Sequence, residues 1–171
     1  MTETHLHPLV TQLRFARSEL VRCLDGLSEV DGQKRLLPMN SISWMVGHLA
    51  SQEHWYWVKF AQGEDVAPGL EELVGYGRPA STPPLAEMWE TWRTVTAIAD
   101  TYLNTLTTAD LETFLSWKDR PRRESVGTML LRNIYHYWFH IGEAHAVRQQ
   151  LGHGDLPQFV GGMETAVYRP E

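Results

Sequence analysis

The sequence predicts an all-α protein, a four-helix bundle, on the strength of three observations. Apolar residues recur at three- and four-residue steps through four segments of about 20 residues each, and this spacing forms one apolar stripe along a helix. Residues that cap or break helices bound these segments, and no stretch has a convincing strand pattern. Four helices of this length in a chain of 171 residues are typical of a bundle.

The first two predicted helices lie within residues 8–62. The first runs from Pro8 to about Leu27 and ends where the chain becomes rich in Gly and acidic residues. The second runs to about Gln62, and Gly63 ends it. A polar side chain at its start is expected to accept a hydrogen bond from a free backbone N–H. The candidates for this cap are Asn40, Ser41 and Ser43.

A loop rich in Gly and Pro, residues 63–81, precedes the third predicted helix. Ser81 or Thr82 is expected to cap this helix, because the prolines that follow are tolerated in a first turn. The helix then covers residues 85–106. A capping signal, TTAD, follows it and predicts a short turn or helix over LETFLSW, residues 111–117.

The fourth predicted helix runs from a cap at Ser125 to about Leu151. Gly152 follows, at the place where helices often end in a left-handed residue. The polar segment 117–124 before this helix is predicted to be a loop. The tail after it contains Pro and two adjacent Gly and is predicted to be irregular.

The length and composition of the chain limit the number of domains and the classes of partner. A chain of this length fits one domain, residues 1–171. The net charge of −6 argues against a broad contact with nucleic acid or with an anionic membrane. Cys23 is the one cysteine, so no intramolecular disulfide forms, and a cytoplasmic location is expected. No signal peptide and no membrane-spanning run is recognisable.

Three histidines on two predicted helices indicate a metal site. His136 and His140 are four residues apart and therefore lie about 40° apart on one helix face. Two imidazoles at this spacing can share one ion at about 2.0–2.1 Å. His48 lies on an apolar, inward-facing stripe of the second predicted helix and is the third candidate. His145 is nine residues from His136 and faces the opposite way.

Ordinary structural roles are the alternatives at each of these positions. His48, like the pair on the last helix, could be a hydrogen-bonded core histidine. Cys23 is interpreted as core packing. Glu143 either accepts a hydrogen bond from an imidazole or pairs with Arg148. Four tryptophans are interpreted as core residues, with a pocket wall as the alternative: Trp44, Trp55, Trp89 and Trp92. Four other histidines are interpreted as surface or terminal residues: His5, His7, His145 and His153.

Two segments, WMVGHLASQEHWYW and HYWFHIGEAHAVRQQLGH, resemble the DinB-like (DinB/YfiT) metalloprotein superfamily. The resemblance covers essentially the whole chain. The family pattern has a histidine in a GHL context, then HxxxH followed by xGQ and LRxxLG. The chain has His48, His136 and His140 at the histidine positions. Glu143 stands where glutamine is common. Relatives of the mycothiol-dependent maleylpyruvate isomerase type have glutamate at the first position of HxxxH, so His136 places this chain nearer the all-histidine branch.

The resemblance implies an up-down-down-up bundle in which His48, His136 and His140 hold a divalent metal, zinc or nickel, near one end. It also implies a homodimer. Characterised relatives transfer low-molecular-weight thiols, such as bacillithiol or mycothiol, to electrophiles, or use them to isomerise substrates. Thiol transfer to an electrophile is therefore the function expected. The alternatives are a non-catalytic metal-binding homodimer with a stress-response or interaction role, and a metal-dependent hydrolase in which Glu143 is the acid or base.

Overall fold

The computed structural model describes residues 6–118, 120–158 and 160–168 and confirms the all-α prediction. His5 lies outside these residues. The helices in chain order are α1 (Pro8–Cys23), α2 (Glu29–Gln33), α3 (Ile42–Glu53), α4 (Leu70–Val74), α5 (Leu85–Leu103), α6 (Thr108–Leu111) and α7 (Val126–Gln150). A π-helical segment (His54–Phe60) continues α3 without interruption. A short antiparallel hairpin pairs β1 (Ser116–Trp117) with β2 (Arg120–Pro121).

The four long helices enclose one apolar core. The helix α3 packs against α5 and α7, α1 packs against α7, and the π-helical segment packs against α5. The largest fully buried side chains come from each of these elements and include Leu13, Met45, Trp57, Leu103 and Tyr137. Within the described ranges, no helix combines the length and the apolar character that crossing a membrane requires.

Two of the predicted caps are confirmed. Ser41 begins α3, because its hydroxyl accepts a hydrogen bond from the N–H of Trp44 at 3.2 Å. Ser125 begins α7 in the same way, with the N–H of Thr128 at 3.3 Å. Gly152 follows α7 with a φ of +84°, as predicted for a left-handed terminus. The two helices that carry the histidines therefore start where local sequence places them.

The predicted end of the first helix is wrong by one turn. The helix α1 ends at Cys23 rather than Leu27, and a turn through Gly26, which has a φ of +69°, leads away from it. The segment after that turn forms the short helix α2, whose first residue is Glu29. Ser28 caps α2 by accepting from the N–H of Asp31, a local signal that the sequence analysis did not use.

The predicted cap of the third helix is also wrong. Neither Ser81 nor Thr82 caps α5; the hydroxyl of Ser81 donates to the carbonyl of Leu73 instead. The carboxylate of Glu29 accepts from the N–H groups of Leu85 at 2.6 Å and of Ala86 at 3.1 Å. A carboxylate satisfies free N–H groups and interacts favourably with the positive end of the helix dipole. The cap therefore comes from a segment more than 50 residues away, which no local pattern predicts.

The region between the third and fourth predicted helices also differs from expectation. The short helix α6 occupies the capping signal itself rather than LETFLSW, because Thr107 and Asp110 form a reciprocal capping box. The hairpin β1–β2 occupies part of the segment predicted to be a loop. The loop 63–81 contains α4, which packs against α3. The helix α4 and the hairpin contribute residues to the site described below.

A buried polar network joins all four long helices. Arg17 of α1 donates from Nε to Glu53 Oε1 of α3 at 2.8 Å and makes a second bond to Glu53 Oε2. Arg17 Nη1 also donates to Asp100 of α5 at 2.6 Å. The hydroxyl of Tyr137, on α7, donates to Glu53 at 2.6 Å and accepts from the indole N–H of Trp92 at 2.7 Å. Burial, together with the Glu53 carboxylate, raises the pKa of Tyr137 well above its ordinary value, so the hydroxyl keeps its proton.

Replacing Glu53 by Ala is expected to lower the free energy of unfolding by about 3–5 kcal/mol, because Arg17 is left buried without its main partner. Urea unfolding followed by circular dichroism measures the change. Glu90→Ala, on the exposed side of α5, is the control and is expected to change stability by less than about 0.5 kcal/mol. Equal losses in the two variants would contradict the prediction.

Candidate metal centre

The structure brings His48, His136 and His140 together. One ring nitrogen from each lies within 4.8 Å of the others. The Nε2 atoms of His136 and His140 are 3.0 Å apart, and the ring of His48 lies 4.9 Å from that of His136 between centroids. Among the described residues, these three are the ones that group as possible ligands of a single metal ion.

The position of His48 depends on close packing around α3. A side chain at Gly47 would come within 2.5 Å of Met88 on α5 and 3.2 Å of Val74 on α4. The glycine therefore allows both neighbours to approach. Trp44, one turn earlier, stacks on the His48 imidazole at 4.3 Å and restricts its rotation. His140 is buried, whereas His48 and His136 remain partly exposed.

Two of the imidazoles are oriented by groups that can only accept hydrogen bonds. His48 Nδ1 lies 2.8 Å from the carbonyl of Val74, and His140 Nδ1 lies 2.8 Å from Glu143 Oε2. A carbonyl and a carboxylate carry no proton, so each Nδ1 must carry one and donate it. In the neutral form of each ring, the Nε2 atom then has a free lone pair.

These contacts decide between the two roles considered for Glu143. Its carboxylate accepts from His140 rather than pairing with Arg148. Arg148 donates instead to the carbonyls of Cys23 and Asp25. Glu143 therefore orients an imidazole, which is a common arrangement beside metal-binding histidines.

The tautomer of His136 is fixed by a relay of three side chains. The indole N–H of Trp57 can only donate, and it lies 2.7 Å from Asn133 Oδ1. The Asn133 amide must therefore present its NH₂ group to Gln52 Oε1, at 2.9 Å. Gln52 Oε1 accepts this bond, so His136 Nδ1, at 3.0 Å, must donate to the same oxygen. His136 Nε2 is thus left with a lone pair as well.

In their neutral forms, the three imidazoles therefore direct their Nε2 lone pairs toward one another. In these forms the Nε2 atoms of His136 and His140 cannot hydrogen-bond to each other, because neither carries a proton. Two lone pairs at 3.0 Å repel each other unless a cation lies between them. Neutral imidazole nitrogens are favoured ligands of zinc, nickel and other divalent transition metals. This donor set fits such an ion.

Protonation of His136 and His48 does not compete with this arrangement at neutral pH. Burial, followed by the neighbouring His140 and His48, lowers the pKa of His136 to about 3. Burial also lowers the pKa of His48, although its hydrogen bond to Val74 opposes the shift. These two rings are therefore neutral when the surrounding solution is near pH 7.

The histidine cluster borders a cavity of about 1020 Å³. His48 and His136 lie in its wall, beside aromatic side chains that include Trp55, Tyr56 and Phe60. Trp55 is thus a wall residue, which corrects its interpretation as core; its indole N–H donates to Glu71 Oε2 at 2.9 Å. The other three tryptophans belong to the core, with Trp89 partly buried: Trp44, Trp89 and Trp92.

Two of the other histidines, His7 and His153, have structural roles. His7 caps α1 by accepting from the N–H of Leu9. His153, predicted to be a surface residue, is partly buried because its ring accepts from Arg148 and lies 3.3 Å from Asp31. Cys23 is buried as predicted, and burial raises the pKa of its thiol.

The sequence analysis missed the residues that orient the rings of His48 and His136. Gln52 follows His48 by four residues, so the two share a helix face, and that spacing was a usable signal. Asn133 precedes His136 by three residues on the same face of α7. The carbonyl of Val74 had no signal, because it comes from a short helix inside a segment that was predicted to be a loop.

A match to a family model shows that the chain belongs to the DinB/YfiT-like superfamily, and the resemblance inferred from the two sequence segments is confirmed. Within that superfamily, a family model described as mycothiol-S-transferase matches residues 8–152. The chain belongs to this family. Among curated proteins, no sequence matches the chain.

The metal-free protein is expected to lose stability as the pH falls below about 6.5. Below that value the unfolded chain binds a proton on His136 that the folded protein does not bind until about pH 3, so stability falls with pH in this window. One such group contributes on the order of 2 kcal/mol between pH 7 and pH 5. His136→Gln is expected to remove that part of the pH dependence.

Urea unfolding at pH 7 and pH 5, with a chelator present, measures this difference. His145→Gln, on the same helix but outside the cluster, is the control and should keep the pH dependence of the parent. A parent-like pH dependence in His136→Gln would show that its imidazole is not the group responsible.

Proposed function

We propose that this protein is a metal-dependent thiol S-transferase, in which His48, His136 and His140 hold one divalent ion through Nε2. Zinc or nickel is the ion expected. The observation that carries the proposal is the convergence of three lone pairs whose direction is fixed by three separate Nδ1 contacts. The family match to mycothiol-S-transferases supports a low-molecular-weight thiol as cosubstrate.

A divalent ion at this site would supply a positive charge that lowers the pKa of a thiol bound to it, so that the thiolate forms near neutral pH. Transfer then requires three changes in bonding. The thiol loses its S–H proton to water through the open cavity. Its sulfur forms a bond to an electrophilic carbon, and the leaving group departs with the electron pair of the bond that breaks.

The side chains of the protein would act by orientation and by shaping the cavity. Val74, Gln52 and Glu143 hold the three rings in one tautomer, so no reorganisation is needed when a ligand arrives. Trp55, Tyr56 and Phe60 offer an apolar wall beside the cluster, where an electrophile could lie next to the sulfur. Cys23 is buried in the core, so the attacking sulfur comes from a cosubstrate.

Two observations favour transfer over the alternatives. The cavity beside the cluster is large enough for substrates, as a catalytic site requires and a purely structural metal site does not. Glu143, the candidate acid or base of a hydrolase, engages His140 through one oxygen. Transfer therefore accounts for more of the site than hydrolysis or a non-catalytic role does.

Several broader expectations accompany this proposal. The long helices are proposed to form an up-down-down-up four-helix bundle, consistent with the packing of α3 on α5 and α7 and of α1 on α7. One domain over residues 1–171 and a cytoplasmic location remain predictions. A homodimer remains a prediction too; Tyr135 and Phe139, four residues apart and more than 60% exposed on α7, could meet a second copy.

Elemental mass spectrometry on untagged protein tests the metal site. We expect close to one divalent ion per chain in the parent and loss of at least about tenfold in occupancy in His48→Ala and His136→Ala, since each removes one ligand. His145→Ala, outside the cluster, should retain the metal. The metal-loaded parent should also accelerate thiol conjugation to an electrophile. A parent that stays metal-free after loading would contradict the metal site. A metal-loaded parent that accelerates conjugation with no thiol would contradict thiol transfer.

Replacing Gln52 by Met is expected to weaken zinc binding by about 10–100-fold, because His136 loses the acceptor that fixes its tautomer. Gln52→Glu keeps an acceptor oxygen and should retain most of the affinity. Competition with a chromophoric chelator measures both values, and Gln150→Met, at the exposed end of α7, is the control. If Gln52→Met and Gln52→Glu weaken zinc binding equally, the acceptor role of Gln52 is wrong.

A further inference from the structure

We propose that the cavity beside the histidine cluster binds a substrate that carries a carboxylate, and that Arg122 is the residue that recognises it. This inference names a substrate class for the proposed transfer and rests on that function for the reaction. The binding that it predicts needs neither metal nor turnover.

The cavity wall carries a local excess of positive charge. Four arginines line it: Arg120, Arg122, Arg123 and Arg132. Two carboxylates, Glu71 and Glu124, lie in the same wall, so four charges minus two leaves an excess of two positive charges among these residues. The whole chain, by contrast, has a net charge of −6. A positive region inside an acidic protein indicates a small anionic ligand.

The carboxylates of the wall are already engaged. Arg132 donates from Nε to Glu124 at 2.9 Å and makes a second bond through Nη2, so this pair is internally satisfied. Glu71 accepts from the hydroxyl of Ser51 at 3.0 Å and from the indole N–H of Trp55 at 2.9 Å. The arginines that remain for a ligand are therefore those of the hairpin region.

Arg122 is the best-placed of these arginines. Its guanidinium lies over the ring of Phe60, 4.6 Å from the centroid, and its backbone N–H donates to Leu115 at 2.7 Å. The ring contact places the side chain at the cavity wall, and the backbone bond fixes the segment that carries it. Among the described residues, Arg122 Nε is one of the few buried side-chain atoms with no hydrogen-bond partner. A buried donor without a partner is costly, and a ligand oxygen would remove that cost.

The chemistry of the wall selects the ligand. A guanidinium is a planar fork of N–H donors, which matches a carboxylate bidentately. The aromatic side chains beside it, Trp55, Tyr56 and Phe60, suit an apolar or aromatic body. A substrate with an apolar body and one carboxylate satisfies both features.

The test compares phenylacetate with its neutral analogue phenylacetamide by isothermal titration calorimetry. The parent is expected to bind phenylacetate at least tenfold more tightly, with the preference falling as salt rises. The parent treated with a chelator to remove metal should show the same preference, which separates binding to arginine from binding to a metal. Arg122→Leu should abolish the preference and Arg122→Lys should reduce it. Arg93→Leu, an exposed arginine of α5 outside the cavity, should leave it unchanged.

The proposal is overturned if the parent binds both probes equally or binds neither, or if Arg122→Leu keeps the preference while circular dichroism shows it folded. Loss of the preference on removal of metal from the parent would assign the carboxylate to the metal instead of Arg122. Phenyl phosphate binding more tightly than phenylacetate through Arg122 would replace a carboxylate by a phosphate ester. None of these results depends on whether the protein transfers a thiol.

Two kinetic arms identify which substrate carries the carboxylate. One compares para-chloromethylbenzoate with para-chloromethylbenzamide as electrophiles for the neutral thiol N-acetylcysteamine. The other compares N-acetylcysteine with N-acetylcysteamine as thiols for the neutral electrophile. A lower KM for the acid in one arm, lost in Arg122→Leu, assigns the carboxylate to that substrate. Turnover with no such difference in either arm would contradict the proposal.

Discussion

The buried pairing of Arg17 with Glu53 is the interaction on which the rest of the structure depends. A guanidinium and a carboxylate taken out of water each cost several kcal/mol unless their hydrogen-bonding groups are satisfied. Arg17 finds a second carboxylate in Asp100, and Glu53 finds the hydroxyl of Tyr137, so all four long helices must meet in one arrangement. Gln52 immediately precedes Glu53. The same arrangement therefore fixes the face of α3 from which Gln52 reaches α7 and orients His136.

The π-helical segment connects this ion pair to the site. It begins directly after Glu53, and its i→i+5 pattern turns the following side chains to other directions than a continuous α-helix would. Trp57 consequently lies in the interior, where its N–H starts the relay through Asn133, while Trp55 and Phe60 line the cavity. One change of helix type thus supplies both the donor that fixes a tautomer and the wall that shapes the cavity. Short π-helical turns are frequent at functional sites for this kind of reason.

Local sequence patterns predicted the helices that carry the histidines, and they could not predict what orients those histidines. The HxxxH spacing and the apolar stripe around His48 depend only on helix geometry, so the cluster could be inferred before any tertiary contact was known. The carboxylate of Glu29 that caps α5, and the carbonyl of Val74 that orients His48, come from short helices in segments predicted to be turn or loop. The segment HWYWVKF also has nothing that distinguishes a π-helix from an α-helix. Those features follow from packing between distant residues, which periodicity does not report.

The acidic balance of the chain and its basic cavity act on different ligands. Net charge governs long-range encounter, whereas recognition depends on the groups within a few ångströms of the ligand. An extended polyanion such as nucleic acid must lie across the surface and would meet the whole charge of −6. A small carboxylate that enters the cavity meets chiefly Arg122 and its neighbours, in surroundings of lower dielectric where the attraction is stronger. The size of a ligand therefore decides whether it meets the net charge of the chain or the local charge of the cavity. The same protein can thus disfavour polyanions while selecting a small anionic substrate.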